Sequence, residues 1–252
     1  MAGREREGAV MDLGLEGRVA VVAASSKGLG RAVADALAGE GARLVISARG
    51  EEALASAEAA LRSNGADVVA VRADVTDPGT PEHLVSVAID LFGRLDIVVP
   101  NAGGPPPAGA LDLDDDAILT AIEANLLTSI RFVRAALPHL RPAGWGRICC
   151  IASATIVQAA PNLALSNTAR TGLWAWAKTA AADLRGTGVT LNLACPGFHA
   201  TDRMIELGAA GSGRPMGDPA DFGQVVAFLC SQAAANVNGA RIVVDGGESL
   251  SL

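Results

Sequence analysis

Short apolar runs alternate along the chain with longer segments whose apolar positions recur every three or four residues. The apolar runs at 19–24, 43–48, 67–73, 95–99, 148–151, 189–194 and 241–244 predict seven strands. The helical spacing predicts helices over 28–40, 51–62, 81–92, 114–140, 163–185 and 218–231. Gly41 follows the first helix as a C-cap, and Glu51 and Glu52 open the second at its positive dipole end. Most strands are followed by a helix, which implies a parallel sheet with right-handed crossovers. The strands are apolar almost throughout, as in a sheet covered on both faces. The expected fold is therefore α/β, a doubly wound seven-stranded parallel sheet with helices on both faces. No linker, repeat or charge block divides the chain. A single domain is expected over 13–252, behind a flexible extension of 1–12 that has no signal-peptide pattern. Residues 199–217 read as a loop, and its Gly-rich part 208–217 (GAAGSGRPMG) as mobile. A lid over a site and a plain surface insertion both fit it.

Composition narrows the function classes. Half of the 252 residues are apolar, which excludes a disordered chain. The net charge is −7, so nucleic acid is not an expected partner. The longest charge-free stretch, 148–169, contains Ser, Thr, Asn and Pro, and reads as strand and loop rather than a membrane span. Cys149, Cys150, Cys195 and Cys230 have neither disulfide nor zinc spacing, and are expected as buried thiols in a reducing cytoplasm. No metal is expected. The chain has no tyrosine, which removes any mechanism with a phenol as proton donor.

After the first strand comes Ala24-Ser25-Ser26-Lys27-Gly28-Leu29-Gly30, and then a helix. Gly28 lets the backbone turn, and Gly30 lets the helix approach closely. The helix N-terminus then presents free N–H groups to a pyrophosphate. Arg49 ends the second strand, where a dinucleotide fold faces the adenosine ribose. A basic residue there accommodates a 2′-phosphate. With Lys27 in the preceding loop, two cations are expected to converge, which favours NADP(H) over NAD(H).

Further landmarks fall in order: Asp74-Val75 after strand three, Asn101-Ala102-Gly103 after strand four, Asn125 in the long helix, Ser153 after strand five, Pro196-Gly197 with Thr201 after strand six, and Val244-Asp245-Gly246-Gly247 near the end. With the Gly-rich turn, this series resembles the short-chain dehydrogenase/reductase family across 13–248, nearest to its 3-oxoacyl-(acyl carrier protein) reductase branch. The resemblance implies a Rossmann fold and a cofactor held by Ala24, Ser26, Lys27, Gly28, Leu29 and Gly30. It places Asp74 and Val75 beside the adenine, and Asn101, Ala102 and Gly103 beside the cofactor at the central sheet. Pro196, Gly197 and Thr201 would lie along the nicotinamide; the fixed charge and paired donors of Arg170 suit a carboxylate, a phosphate, an enolate or the nicotinamide ribose. It also implies a homo-oligomer, a tetramer or dimer, acting on a small molecule.

Two departures stand out. The family's Thr-Gly before the turn is Ala23-Ala24, and its Tyr-x-x-x-Lys is Ser166-Asn167-Thr168-Ala169-Arg170, with Ser166 thirteen positions after Ser153. A serine is shorter and far less acidic than a phenol of pKa about 10. Arg170 stays protonated and cannot relay a proton, but offers fixed charge and paired donors. Three proton routes stay open: Ser153 and Ser166 holding a carbonyl while water supplies the proton; His199 beside the nicotinamide loop; or an enone, quinone or phenolic ketone that needs no strong acid. Asn125 is expected as a water or backbone bridge behind Arg170, as the resemblance implies. Trp174 and Trp176 read as packing or subunit-interface residues, and His83 and His139 receive no role. The expected activity is an NADP(H)-dependent, Tyr-free reductase or dehydrogenase of a small carbonyl or alcohol metabolite. A non-redox cyclase, isomerase or dehydratase on the same fold, and a non-catalytic NADP(H)-binding protein, are the alternatives.

Overall fold

A computed structural model describes residues 11–208, 213 and 215–250. Seven parallel strands form one sheet in the order β3-β2-β1-β4-β5-β6-β7: β1 Val19–Val22, β2 Arg43–Ala48, β3 Val68–Arg72, β4 Ile97–Val99, β5 Gly146–Ile151, β6 Val189–Pro196 and β7 Arg241–Val244. The doubly wound sheet read from the pattern is thus present, and Leu13 and Leu15 ahead of β1 pack into the core. The proposed extension lies almost entirely on residues 1–10, outside the described residues.

Each central strand sends alternate side chains to opposite faces. Ala20 and Val22 of β1 join one core, with residues of the helices α1 (Gly28–Gly39), α2 (Glu51–Ser63) and α8 (Pro219–Leu229). Val19 and Val21 join the other, with α3 (Thr80–Phe92), α5 (Thr128–Ala143) and α6 (Ala164–Asp183). The two buried layers explain why the strands carry no polar face. All four cysteines are buried thiols, as expected. Burial pushes the Cys150 thiol up, and Cys195 up to about 12, so neither is a nucleophile at neutral pH.

The expected long helix differs. It is α4 (Asp115–Ile122), a π turn over Glu123–Leu127, and then α5. The π turn inserts one extra residue, and Asn125 sits in it, buried, with Nδ2 3.4 Å from the Ala121 carbonyl. A short helix that periodicity does not reveal, α7 (Asp202–Glu206), follows Thr201. Of the Gly-rich segment 208–217, residues 209–212 and 214 fall outside the described residues. Its end is tied down, because the Gly217 amide donates to the Phe198 carbonyl at 2.9 Å.

The strand order reverses between β1 and β4, and open α/β sheets bind ligands in the crevice at such a point. Ala24 and Asn101 stand at the carboxyl ends of these two strands. The Asn101 amide reaches across and donates to the Ala24 carbonyl at 3.1 Å. No helix among the described residues is long and apolar enough to cross a membrane.

Candidate active site

Ser25 fixes the turn from below: fully buried, it donates from Oγ to the Val22 carbonyl at 2.8 Å and accepts from the Ser47 amide at 3.2 Å. Ser26, half-buried, continues the turn above it. Sequence reasoning passed over Ser25, although a small polar residue just after a buried strand was a signal. Gly28 has φ +59, which its lack of a Cβ permits. Gly30 is closely confined: a Cβ there would lie 2.4 Å from the Ala24 carbonyl oxygen and 2.8 Å from Asn101 Nδ2. Lys27 is the N-cap of α1 and makes no side-chain cap. The first-turn N–H groups of Gly28, Leu29 and Gly30 are therefore left for a ligand. These glycines and amides form a cradle that fits a dinucleotide pyrophosphate.

Ala24 is in the left-handed region, φ +47, where a side chain is unfavourable. Ala24→Gly should remove about 1 kcal/mol of strain, offset in part by glycine's freedom in the unfolded chain. A net gain of ~0.5 kcal/mol, or a Tm rise of about 1–2 °C, is expected in thermal denaturation. A fall in Tm would contradict the strain.

The two loop cations do not converge as expected. Lys27 Nζ pairs with Asp202 Oδ2 at 3.0 Å, drawn away by the unforeseen helix α7. Lys27, Gly28, Thr201 and Asp202 line a cleft of about 450 Å³ beside α1. Arg49 stands alone at the other end, its side chain 79% exposed and Nη1 3.9 Å from Asp74 Oδ2. Asp74 is held by Thr76, whose amide and hydroxyl donate to it at 3.0 and 2.8 Å; the amide chiefly lowers its pKa, with Arg49 adding to this. Val75 is buried behind it. Arg49 is thus weakly paired and free to meet a 2′-phosphate.

On the other side of the crevice, Ala102 and Gly103 continue from Asn101. Gly197 follows Pro196, and its missing Cβ makes room for Asp245, which would lie 2.5 Å away. Thr201 caps α7, with its methyl 3.7 Å from where a Gly28 Cβ would be. Of the cofactor-binding positions named from the sequence, Lys27, Gly28 and Thr201 line one cleft, and Asn101 meets Ala24 across the switch point.

Ser153, at the end of β5, opens a short 3-10 turn, and its Oγ accepts from the Thr155 amide at 3.2 Å. That leaves its O–H free to donate. Ser166 lies in the first turn of the twenty-residue α6, near the helix's positive end, and is 8% exposed. Its hydroxyl has no hydrogen-bond partner among the described residues. Arg170 lies one turn further on and is buried. Its Nη1 donates to the Ile151 carbonyl at 3.0 Å and the Ala152 carbonyl at 2.9 Å. Arg170 is thus a clamp on the end of β5 as well as a charge, and no carboxylate pairs with it among the described residues. Burial pushes its pKa down to about 10, so it remains a cation at neutral pH.

The two remaining candidates for proton handling, His199 and Asn125, are both buried. His199 is 3% exposed, with Nδ1 3.3 Å from the Gly197 carbonyl, its ring edge-on to Phe222 at 5.4 Å, and Gly217 against its Cδ2 and Nε2 side. Packing on α8 makes it a buried side chain. Asn125, expected as a water or backbone bridge behind Arg170, turns its Nδ2 to the Ala121 carbonyl. Its Oδ1 is buried without a partner, as are Thr155 Oγ1 and Asn167 Oδ1. All three belong to segments adjoining or carrying the serines. Buried polar atoms of this kind are satisfied by water or ligand.

One residue was missed outright. Arg203 on α7 donates from Nη2 to the Pro105 carbonyl at 2.5 Å, and from Nη1 to Glu206 at 3.4 Å. Nothing in a short, aperiodic segment singled it out.

Comparison with known proteins is consistent with this geometry. The family model described as enoyl-(acyl carrier protein) reductase matches residues 23–249. The chain is 30% identical to dehydrogenase/reductase SDR family member 4 of Sus scrofa, over 94% of this chain and 89% of that protein. It is 31% identical to the 3-oxoacyl-[acyl-carrier-protein] reductase of Vibrio cholerae, over 93% and 98%. The crystal structure of L-sorbose reductase from Gluconobacter frateurii, complexed with NADPH and L-sorbose, superposes with a TM-score of 0.90 at 28% identity, covering 96% of this chain and all of that one.

Proposed function

The chain belongs to the short-chain dehydrogenase/reductase family, similar to its 3-oxoacyl-(acyl carrier protein) reductases, and from that premise we propose an NADP(H)-dependent oxidoreductase that acts on a small carbonyl or alcohol metabolite without a tyrosine. The observation that carries this reading is the uncapped first turn of α1 over Gly28–Gly30 at the sheet's switch point, with Arg49 exposed beyond the end of β2. The L-sorbose reductase likeness, a protein crystallised with NADPH, supports it.

When bound, the reduced nicotinamide supplies hydride to a carbonyl carbon. The protein's part is to hold that carbonyl and accept the charge that develops on its oxygen. The Ser153 O–H donates to the oxygen. The Ser166 hydroxyl, at the positive end of α6, donates as a second hydroxyl. Arg170 stabilises the charge from beneath through its fixed cation, while its Nη1 keeps β5 in place. Water satisfied by Asn125 Oδ1 and its neighbours delivers the proton. General acid help is worth about 10²–10⁴-fold, so a weaker donor slows the reaction without abolishing it. The protein acts as a cytoplasmic homo-oligomer in this reading.

The test is a panel of ketones and quinones followed by NADPH absorbance. Consumption of NADPH with formation of the alcohol is expected. Product formed without any change in cofactor redox state would point to a cyclase, isomerase or dehydratase instead. Arg49→Glu should reverse the cofactor preference: loss of a charge-assisted pair and gain of repulsion should weaken NADPH about 10- to 100-fold and leave NADH unchanged or tighter, read as kcat/KM for each cofactor. An unchanged NADPH preference would remove Arg49 from the 2′-phosphate site.

A further inference from the structure

The sheet order β4-β5-β6 sets where Arg203 lies. Arg203 belongs to the segment after β6, and the carbonyl it reaches, that of Pro105, belongs to the segment after β4. The segments after β4 and β6 flank the end of β5 in this order, and the Arg203 charge acts on Arg170, which holds that end. That end carries Ser153 and the two carbonyls held by Arg170. The contact is built for a guanidinium: a Cβ on Gly104 would lie 3.3 Å from both Nε and Nη2 of Arg203, so the glycine leaves the space the fork occupies. Residues 105–107 are all proline and offer no backbone N–H, so donors on this wall come from the arginine.

We propose that the substrate carries a carboxylate and that Arg203 receives it, making the site selective for oxo or hydroxy acids over their neutral counterparts. This rests on the oxidoreductase reading above and names its substrate class. One N–H of Arg203 serves the Pro105 carbonyl, and the pair with Glu206 is long and exposed, which gives it little strength. The remaining N–H groups of the fork match a carboxylate's two oxygens. The charge balance agrees. The Arg203 charge acts on Arg170 and adds to the depression of its pKa that burial causes. No internal carboxylate neutralises Arg170 among the described residues, and a substrate anion relieves that repulsion on binding. Reduction of such an acid leaves the carboxylate untouched; it is a handle for binding and takes no part in bond making.

The test is equilibrium binding of levulinate and of methyl levulinate, a pair differing in one charge, to protein saturated with NADP+. An oxidised cofactor cannot reduce a ketone, so binding is read without turnover. Levulinate should bind about 10- to 100-fold more tightly than its ester. Arg203→Met should erase that difference by weakening levulinate alone, with NADP+ affinity unchanged as the control for folding, and Arg203→Lys should keep part of it. Equal affinity for acid and ester, a preference that survives Arg203→Met, or no binding of either probe would overturn the proposal. If NADP+ itself fails to bind, the cofactor reading falls separately, and the same pair titrated into the free protein still decides the role of Arg203.

Discussion

Gly30→Ala should abolish measurable nucleotide binding and lower the melting temperature. The added methyl would meet the Ala24 carbonyl at 2.4 Å and Asn101 Nδ2 at 2.8 Å. Neither neighbour is a flexible end. One is backbone in a left-handed residue, and the other is the side chain that ties β4 to β1 across the switch point. Overpacking of this kind costs ~1–3 kcal/mol, and breaking the Asn101 bond adds about 1 kcal/mol. A total of ~3 kcal/mol corresponds to a fall in Tm of roughly 6–12 °C for a domain of this size. Because the distorted groups are the wall of the cradle, the amides of 28–30 would lose their common direction as well. Gly39→Ala is the internal control: it lies in the same helix, with nothing within 4 Å of an added Cβ, and should leave both quantities unchanged or improved. Wild-type NADPH affinity in Gly30→Ala, followed by nucleotide fluorescence, would show that the cradle is not the binding site.

Arg170→Met should have the largest effect on turnover. It removes the cation under the reacting oxygen, a contribution of the kind worth about 10²–10³-fold. It also leaves the Ile151 and Ala152 carbonyls without their donor. Each lost charge-assisted bond costs about 1.5–3 kcal/mol, but relief of a buried charge offsets part of this, so a net destabilisation of ~2 kcal/mol is expected. Lysine is an imperfect substitute, because its ammonium can hold the two carbonyls but lacks the guanidinium's planar paired donor edge. The pH dependence follows from the lowered pKa of about 10. A base whose pKa falls on folding destabilises the fold while charged, and that penalty fades as pH rises from about 10 toward the unfolded value. For turnover the direction is opposite: the useful cation persists through neutral pH and is lost near 10. The rate should be flat between about pH 6 and 9 and fall above that, and Arg170→Met should lack the fall. A wild-type rate that does not fall above about pH 9 would remove the charge of Arg170 from the reacting step.

The layered fold was legible because its strands are buried on both sides and its helices on one. Those two patterns differ in period, and β2 and β7 coincide with their apolar runs. The cradle was legible because its residues are contiguous. What the chain order hides is contact between distant segments. Lys27 was read with Arg49, but Asp202, 175 positions away, holds it. His199 packs edge-on against Phe222, from another helix, which the chain order does not show. Arg203 gained meaning only from the carbonyl of Pro105, 98 positions earlier. The π turn at Asn125 escaped because one inserted residue barely shifts a helical period, and α7 because five residues are too few to show one.

The central claim is that a nicotinamide nucleotide with a 2′-phosphate docks on the turn from Ala24 to Gly30, where two hydroxyls and a guanidinium do the work of the absent phenol. Calorimetric titration of the wild-type protein with NADPH and with NADH tests it most directly. Saturable binding of NADPH, about tenfold or more tighter than NADH, is the expected result; no heat of association with either nucleotide at millimolar concentration would contradict it.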